Sequence, residues 1–291
     1  MEGGTLVPME SDSSQPEPVS VLTFFATRVL KLRTARGWSQ RELGKKVHTT
    51  GAMISYIENG KRVPTADLAR DLDAAFETDF FVDLHPLVIA HAYPSWFLPF
   101  IQLEAQAARL RVFESQIVPG LLQTEEYARA MLAALRPDNL DDLVAARMTR
   151  QSIFERAMPP HCWFIMDEQT LRRCVGGPTV MAAQLERLLV VGTAPRTVVQ
   201  IVPDEVATHP GLAGPFTILG FDREEEGPEG GPPRPPHDVL HVDGFSQGRT
   251  GLDEAEVMDA NRAYDLLNSY ALSPEVSADR IGKYLERFKE R

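Results

Sequence analysis

Cysteine is almost missing from this chain: its 291 residues hold only Cys162 and Cys174, too few for a disulfide framework or a four-ligand zinc site. Lysine is missing from the middle, with none between Lys61 and Lys283, so positive charge there comes from arginine alone. A membrane-spanning run is missing too. The most apolar stretch, His85 to Leu103, contains His91 and is broken by Pro86, Pro94 and Pro99, whereas a span needs about 20 consecutive apolar residues. That stretch is expected to be a buried junction or core helix, with no membrane partner. Residues 1–20, MEGGTLVPMESDSSQPEPVS, carry acids where a secretory signal carries bases and have no apolar stretch. They read as a disordered leader, and the chain as cytoplasmic.

What is present is an ordinary globular composition, 43% hydrophobic and 8% aromatic, long enough for about two domains with cores of their own. The net charge of −11 argues against a nucleic-acid partner, but it is unevenly spread. Val21 to Thr65 holds nine lysines and arginines against Glu42 and Glu58, a surplus of +7, while the leader carries −4 and the chain from Ala66 onward −14. A compact basic block on an acidic chain is an electrostatic footprint for phosphate.

Within that block the apolar spacing is helical. Phe24, Val29 and Leu32, broadened by Leu22, Phe25 and Leu30, form a stripe that ends at Gly37. Ser39 and Glu42 make an S-x-x-E capping box. It opens a short helix to about Val47 with Leu43 and Val47 facing in, and Gly44 is small where helices would cross closely. Thr49-Thr50 is a second N-cap signal, for a helix from Gly51 with Ile54 and Ile57 inward, stopped at Asn59-Gly60. Thr65 caps a further helix carrying Leu68, Leu72 and Phe76. Two short helices joined by a tight turn inside a basic bundle can place the second in the major groove.

The string WSQRELGKKVHTTGAMISYIENGKRVP closely resembles the phage-repressor-like (XRE, or Cro/C1-type) helix-turn-helix family over about 55 residues. The resemblance implies a partner in double-stranded DNA and a set of contact positions. Gln40 matches the family's phosphate-anchoring glutamine. Arg41 beside it and Thr49 of the second N-cap signal are further DNA-binding candidates; Thr50, Gly51, Ala52, Ser55 and Tyr56 fall where family members face base edges and flanking phosphates; Asn59, Lys61 and Arg62 lie just past the recognition helix. Gly51 and Ala52 depart from the family's usual Gln, Ser or Arg, so direct readout is expected to be thin. Ala52 offers only a methyl contact, and DNA shape and dimer spacing would carry much of the specificity.

The acidic remainder reads as a separate α+β domain. Trp96 to Phe113, a segment from Thr124, Leu140 to Arg156, Glu168 to Cys174, Pro178 to Val190 and Leu252 to Leu272 are expected helices, with a short C-terminal helix from about Ser277. His161 to Asp167, Thr197 to Val202, Phe216 to Phe221 and Val239 to Val242 are expected strands. EEEGPEGGPPRPP, Glu224 to Pro236, reads as a disordered hairpin insertion. The expected organisation is therefore leader 1–20, an all-α helix-turn-helix domain 21–80, and an α+β sensor and dimerisation domain 81–291 with the insertion at 223–237. The fold class is mixed.

The second domain carries its own resemblance. PGLLQTEEYARAML, RMTRQSIFERAMPP, DEQTLRRCVGGPTVMAAQLERLL and HPGLAGPFTILGF look like the large C-terminal domain of actinobacterial XRE regulators, the WhiJ-like or antitoxin-like proteins, which commonly have a small partner protein encoded nearby. The resemblance implies transcriptional control and brings no chemistry with it.

Enzymatic signals are weak, and the expectation is no enzyme, cofactor or metal. His161, Cys162 and Cys174 are the obvious reagents, but Cys162 sits in an apolar run that favours an inert buried thiol. There is no H-E-x-x-H, and Gly176-Gly177 lacks a following G-K-[ST]. Ala213-Gly214 imitates a self-cleavage site without a lysine placed to serve it. Sensing or assembly remains. Trp96, Phe97, Phe100, Phe113, Tyr127, Trp163 and Phe164 either line a pocket, with Arg147, Arg150 and Arg172 for an anionic small-molecule effector, or build the core. Core is the favoured role. Leu121, Leu122 and Tyr127 read as a packing joint, and the leucine-rich face of Met181 to Val190 as a dimer surface. The expected function is a homodimeric, sequence-specific transcriptional regulator; the alternative is an antitoxin-like module that chiefly sequesters a small partner protein.

Overall fold

A computed structural model describes residues 20–222, 235, 237–244, 248–251 and 253–291. The leader and the 223–237 insertion therefore lie outside the described residues, apart from Ser20, Pro235 and His237.

Local capping signals set the first helices. Ser20 accepts from the Thr23 amide to open α1 (Val21–Ala35), and Gly37 takes the left-handed conformation (φ +69°) that ends it. The Ser39–Glu42 box is made in both directions at the start of α2 (Gln40–Lys46). Thr50 caps α3 (Gly51–Glu58) and Thr65 caps α4 (Ala66–Phe76). Leu22, Phe25, Val29, Leu43, Val47, Ile54, Ile57, Leu68, Leu72 and Phe76 share one core.

The helical unit does not stop at residue 80. Phe80–Ala92 forms α5, and its Phe81, Val88 and Ala92 are buried in the same core. The reason lies in α4. The buried Asp73 carboxylate accepts from the Phe81 and Val82 amides (3.0 and 2.8 Å) and from the Thr78 hydroxyl, satisfying donors that a helix N-terminus leaves open. Pro86 lies inside this helix, and no helix among the described residues is long and apolar enough to cross a membrane.

The second domain is built on a six-stranded sheet in the order β3-β2-β1-β4-β5-β6. Its strands are β1 (Arg109–Glu114), β2 (His161–Asp167), β3 (Thr197–Val202), β4 (Phe216–Gly220), β5 (Val239–Val242) and β6 (Arg249–Gly251). The β1–β2 and β2–β3 pairs are parallel, the rest antiparallel. Parallel pairs need long crossovers. Here α7 (Glu125–Ala133) and α8 (Leu140–Thr149) lie between β1 and β2, and α9 (Gln169–Arg172) and α10 (Pro178–Val191) between β2 and β3.

Alternation along the strands divides the core. Leu110, Val112, Phe164, Met166, Ile201 and Leu219 face one side, under α10 and α12 (Pro274–Lys289). Phe113, Ile165, Val202, Ile218 and Leu240 face the other, under Val257, Tyr264 and Leu267 of α11 (Glu254–Tyr270). The edge strand β3 is closed off, since Ser277 accepts from the Ile201 amide (3.0 Å) and Ile201 accepts from the Leu272 amide.

Three expectations are corrected. Trp96 to Phe113 is not one helix: α6 (Leu98–Glu104) is short, and RLRVFE is β1, the strand that joins the parallel and antiparallel halves of the sheet. Pairing with β2 and β4 decides this, and both partners are distant in sequence. The C-terminal helix begins at Pro274 behind the Ser273 cap, leaving Ser277 inside it and buried. The leucine-rich face of α10 is no open dimer surface, because Met181, Leu185 and Leu188 are buried in the core shared with Ile281 and Leu285 of α12. The fold class is the expected one, an all-α unit followed by an α+β domain.

Candidate nucleic-acid interface

The turn between α2 and α3 depends on two glycines. A Cβ on Gly44 would lie 2.9 Å from the Thr49 carbonyl oxygen, and one on Gly51 would lie 3.1 Å from the backbone of Arg41. The helices can therefore cross only where these side chains are absent. His48 takes a left-handed conformation (φ 53°) to reverse the chain, and the Thr49 amide bonds back to Gly44 O at 2.8 Å.

Behind α3 sits a buried carboxylate. Arg33 of α1 donates to both oxygens of Glu58, and Gln40 of α2 adds a third bond at 2.8 Å. One acid thus ties three helices together and fixes the angle of α3. The arrangement holds the Arg33 guanidinium above its ordinary range, chiefly through its bond to Glu58. Glu58 was not among the sequence candidates. It stands four residues after the inward Ile54, so it falls on the buried face, and an acid there requires a basic partner.

The outer face carries the candidates. Thr50, Ala52 and Tyr56 are exposed, and Ser55 is half-buried. The Thr50 hydroxyl already accepts from the Met53 amide (3.1 Å), which leaves it a donor. Asn59 donates to Ser55 O (2.7 Å) and so holds the end of the helix. Arg62 lies over the Tyr56 ring, 5.0 Å from its centroid. Arg41 and Lys45 are exposed with no ion pair among the described residues, and Lys46 covers the Trp38 ring. Three of the sequence candidates are tied up within the protein. Gln40 is held by Glu58, Gly51 serves the helix crossing, and Lys61 reaches Glu125 of the second domain at 3.6 Å.

The helical unit is clasped by the second domain. The Val63 amide donates to Thr149 Oγ1 (2.7 Å), Tyr93 OH to Ala146 O (3.1 Å) and the Ser20 hydroxyl to Asp142 (2.6 Å). All three acceptors lie on α8.

The expected aromatic and arginine pocket is only partly assembled. Phe97, Phe100, Phe164, Arg147 and Arg150 surround a cavity of about 80 Å³ with Glu104, Glu114, His241 and Asp243. That is room for a few waters and too little for a drug-sized effector. Arg150 is committed to Glu104 by two bonds (2.8 and 2.7 Å) and Arg147 to Gln123. Burial and the nearby Asp243 push the Glu114 carboxyl up to about 8, and burial lowers Arg147 to about 10. Phe113 lies across the sheet, Tyr127 receives the Val118 amide, Trp163 bonds Gln200, and Arg172 pairs with Asp204. The PGLLQT string is a structural joint. Buried Gln123 donates to Val118 O, accepts from Arg147 and receives Gln151 on its carbonyl, while Gln184 bonds both Thr124 and Leu122. Among the described residues no group of three or more His, Cys, Asp or Glu is placed to hold a metal.

Comparison with known families matches residues 97–283, more than half of the chain, to a domain of unknown function, DUF5753. The chain belongs to the DUF5753 family. Residues 29–81 match the helix-turn-helix family, which marks the N-terminal unit as that of a DNA-binding regulator of the XRE type with double-stranded DNA as its partner. No curated protein and no solved structure matches the chain. The DUF5753 match begins at Phe97, the residue preceding α6, so most of α5 falls between the two matches and bridges them in the structure.

Proposed function

We propose that this DUF5753 chain is a sequence-specific transcriptional regulator that docks α3 in the major groove as a homodimer and uses its acidic domain to receive a signal. One observation carries this reading: the exposed Thr50, Ala52 and Tyr56 face is flanked by exposed, unpaired Arg41 and Lys45 and held at a fixed angle by the Glu58 cluster. Free cations beside a presented helix supply the phosphate contacts that orient it. Thin side-chain chemistry at Gly51 and Ala52 puts the specificity on half-site spacing and DNA shape. The likeness of PGLLQTEEYARAML to the WhiJ-like regulators supports a role in transcription. The signal reaching the acidic domain is a small molecule or a small partner protein.

The test is selection from random duplexes, followed by anisotropy titration at several salt concentrations. The expected product is an inverted repeat whose half-sites lie about 34–36 Å apart. Log Kobs should fall with log[salt] by about 0.9 for each phosphate contacted. A salt-independent affinity, or the absence of any enriched motif, overturns the reading.

A further inference from the structure

Where the helical unit meets the DUF5753 domain, an open groove of about 690 Å³ runs between α5 and the segment after α3 on one side and α6 and residues 149–153 on the other. Its size falls within the roughly 300–1,000 Å³ of small-molecule sites. Ile89, Tyr93, Leu98, Ile101 and Ile153 give it an apolar lining.

The polar groups in the lining define what would fit. Arg150 and Glu104 neutralise each other through two hydrogen bonds. His85 Nε2 donates to the Pro64 carbonyl (3.1 Å), and burial lowers the ring's pKa, favouring the neutral form with Nδ1 as acceptor. No charge is left over to meet a charged ligand. Unpaired acceptors in the lining include His85 Nδ1, which has no partner among the described residues, and the buried Gln106 Oε1. Gln106 is 9% exposed; its amide nitrogen is used on Gln102 O, and its buried oxygen has no partner. An unpaired buried acceptor is costly unless a donor reaches it.

We propose that this groove binds an uncharged, largely hydrocarbon small molecule bearing a hydrogen-bond donor, and that its occupation alters DNA affinity. The second clause rests on the regulator reading above. The coupling follows from where the walls lie. Val63 to Ala66 directly follow Lys61 and Arg62 at the end of the recognition helix, and the Val63 amide is bonded to Thr149 on the opposite wall. A molecule touching both walls binds one arrangement of the two domains better than another, and that difference is what shifts the equilibrium.

The full chain would be titrated with N-phenyl-1-naphthylamine, an uncharged fluorophore with a single N–H, and with 1-benzylnaphthalene, which replaces that N–H by CH₂. Saturable 1:1 binding is expected, with the amine favoured by about three- to tenfold. Gln106→Leu should erase that preference. Ala90→Trp and Gln102→Trp, at exposed helix positions on the groove, should abolish binding with the melting temperature unchanged. Binding unaffected by both tryptophans overturns the site. So does displacement of the probe by a peptide of residues 1–19, or loss of binding as the protein self-associates, because the occupant is then the chain itself or a second copy. With the selected duplex, a saturating probe should change affinity by about fivefold or more, and not in Ala90→Trp. Probe binding with unchanged DNA affinity overturns the coupling. Absence of DNA binding with probe binding intact overturns the regulator reading and the coupling, and leaves the site standing.

Discussion

In the helical unit Arg41 and Lys45 face solvent with no ion pair among the described residues. In the DUF5753 domain Arg109 meets Asp222, Arg129 meets Asp141, Arg150 meets Glu104, Arg172 meets Asp204 and Arg280 meets Glu168. Both regions are supplied with basic residues, so their number does not distinguish them. Neutralisation does. Carboxylates within the second domain pair these arginines and leave an acidic surplus, whereas the two acids of Val21 to Thr65, Glu58 and Glu42, turn inward and onto a helix cap. A face becomes a phosphate footprint when its cations have no internal partner.

The strongest way to break this contrast is to remove the buried acid behind the recognition helix, Glu58. Glu58→Ala leaves Arg33 buried without a counter-charge and should cost about 3–5 kcal/mol, read as a fall in the free energy of urea unfolding by far-ultraviolet circular dichroism. Glu58→Gln, which keeps an acceptor for Arg33, should cost less. A loss below about 1 kcal/mol for the alanine variant, the range of a surface pair, would show that the cluster does not hold the helices.

Within the DUF5753 domain the matching test is Glu114. Its carboxyl is raised from the ordinary 4.5 to about 8 by burial and the neighbouring Asp243, so the folded protein holds this proton more tightly than the unfolded chain. Its contribution to stability is then full below about 4.5 and lost as pH rises through about 8. The urea midpoint should decline across that window, and Glu114→Gln should flatten the decline. An unchanged profile in the variant refutes the assignment.

Salt dependence sharpens the contrast further. Arg41→Ala and Lys45→Ala should each reduce the slope of log Kobs against log[salt] by about 0.9. Arg109→Ala, whose guanidinium bonds Asp222 at 2.7 Å, should leave it unchanged. Equal effects of all three would mean that ion pairing does not separate the two surfaces.

The smallest expected effect concerns the thiols. Burial pushes Cys162 up to about 12, while Cys174 is exposed. Iodoacetamide at pH 8 should label Cys174 alone in the native protein and both after denaturation, as read by peptide mass spectrometry. Native labelling of Cys162 would place that strand outside the core.

Legibility in the sequence followed the range of the interaction. The Ser39–Glu42, Thr50, Thr65 and Thr124 caps close over three residues, and each forms where the pattern places it. The strands HCWFIMD, TVVQIV and Val239–Val242 are apolar enough to be read directly. RLRVFE is not, because its arginines blend with the preceding helix pattern and only pairing with His161–Met166 and Phe216–Gly220 makes it a strand. The exposed positions of α3 could be placed from helical periodicity and the family likeness. The engagement of Gln40 by Glu58 and of Lys61 by Glu125 could not, since each partner lies on another element.

The helix-turn-helix, its caps, its glycine-dependent turn and the basic block around it were written in the chain alone, because all of them rest on contacts between near neighbours. Packing between distant segments settled the rest. It drew α5 into the helical unit through Asp73, covered the leucine face of α10 with α12, and left a neutral groove with unpaired acceptors between the two domains. Those outcomes depend on which distant surfaces meet, and whether a buried charge or hydrogen-bonding group finds a partner is settled only when they do.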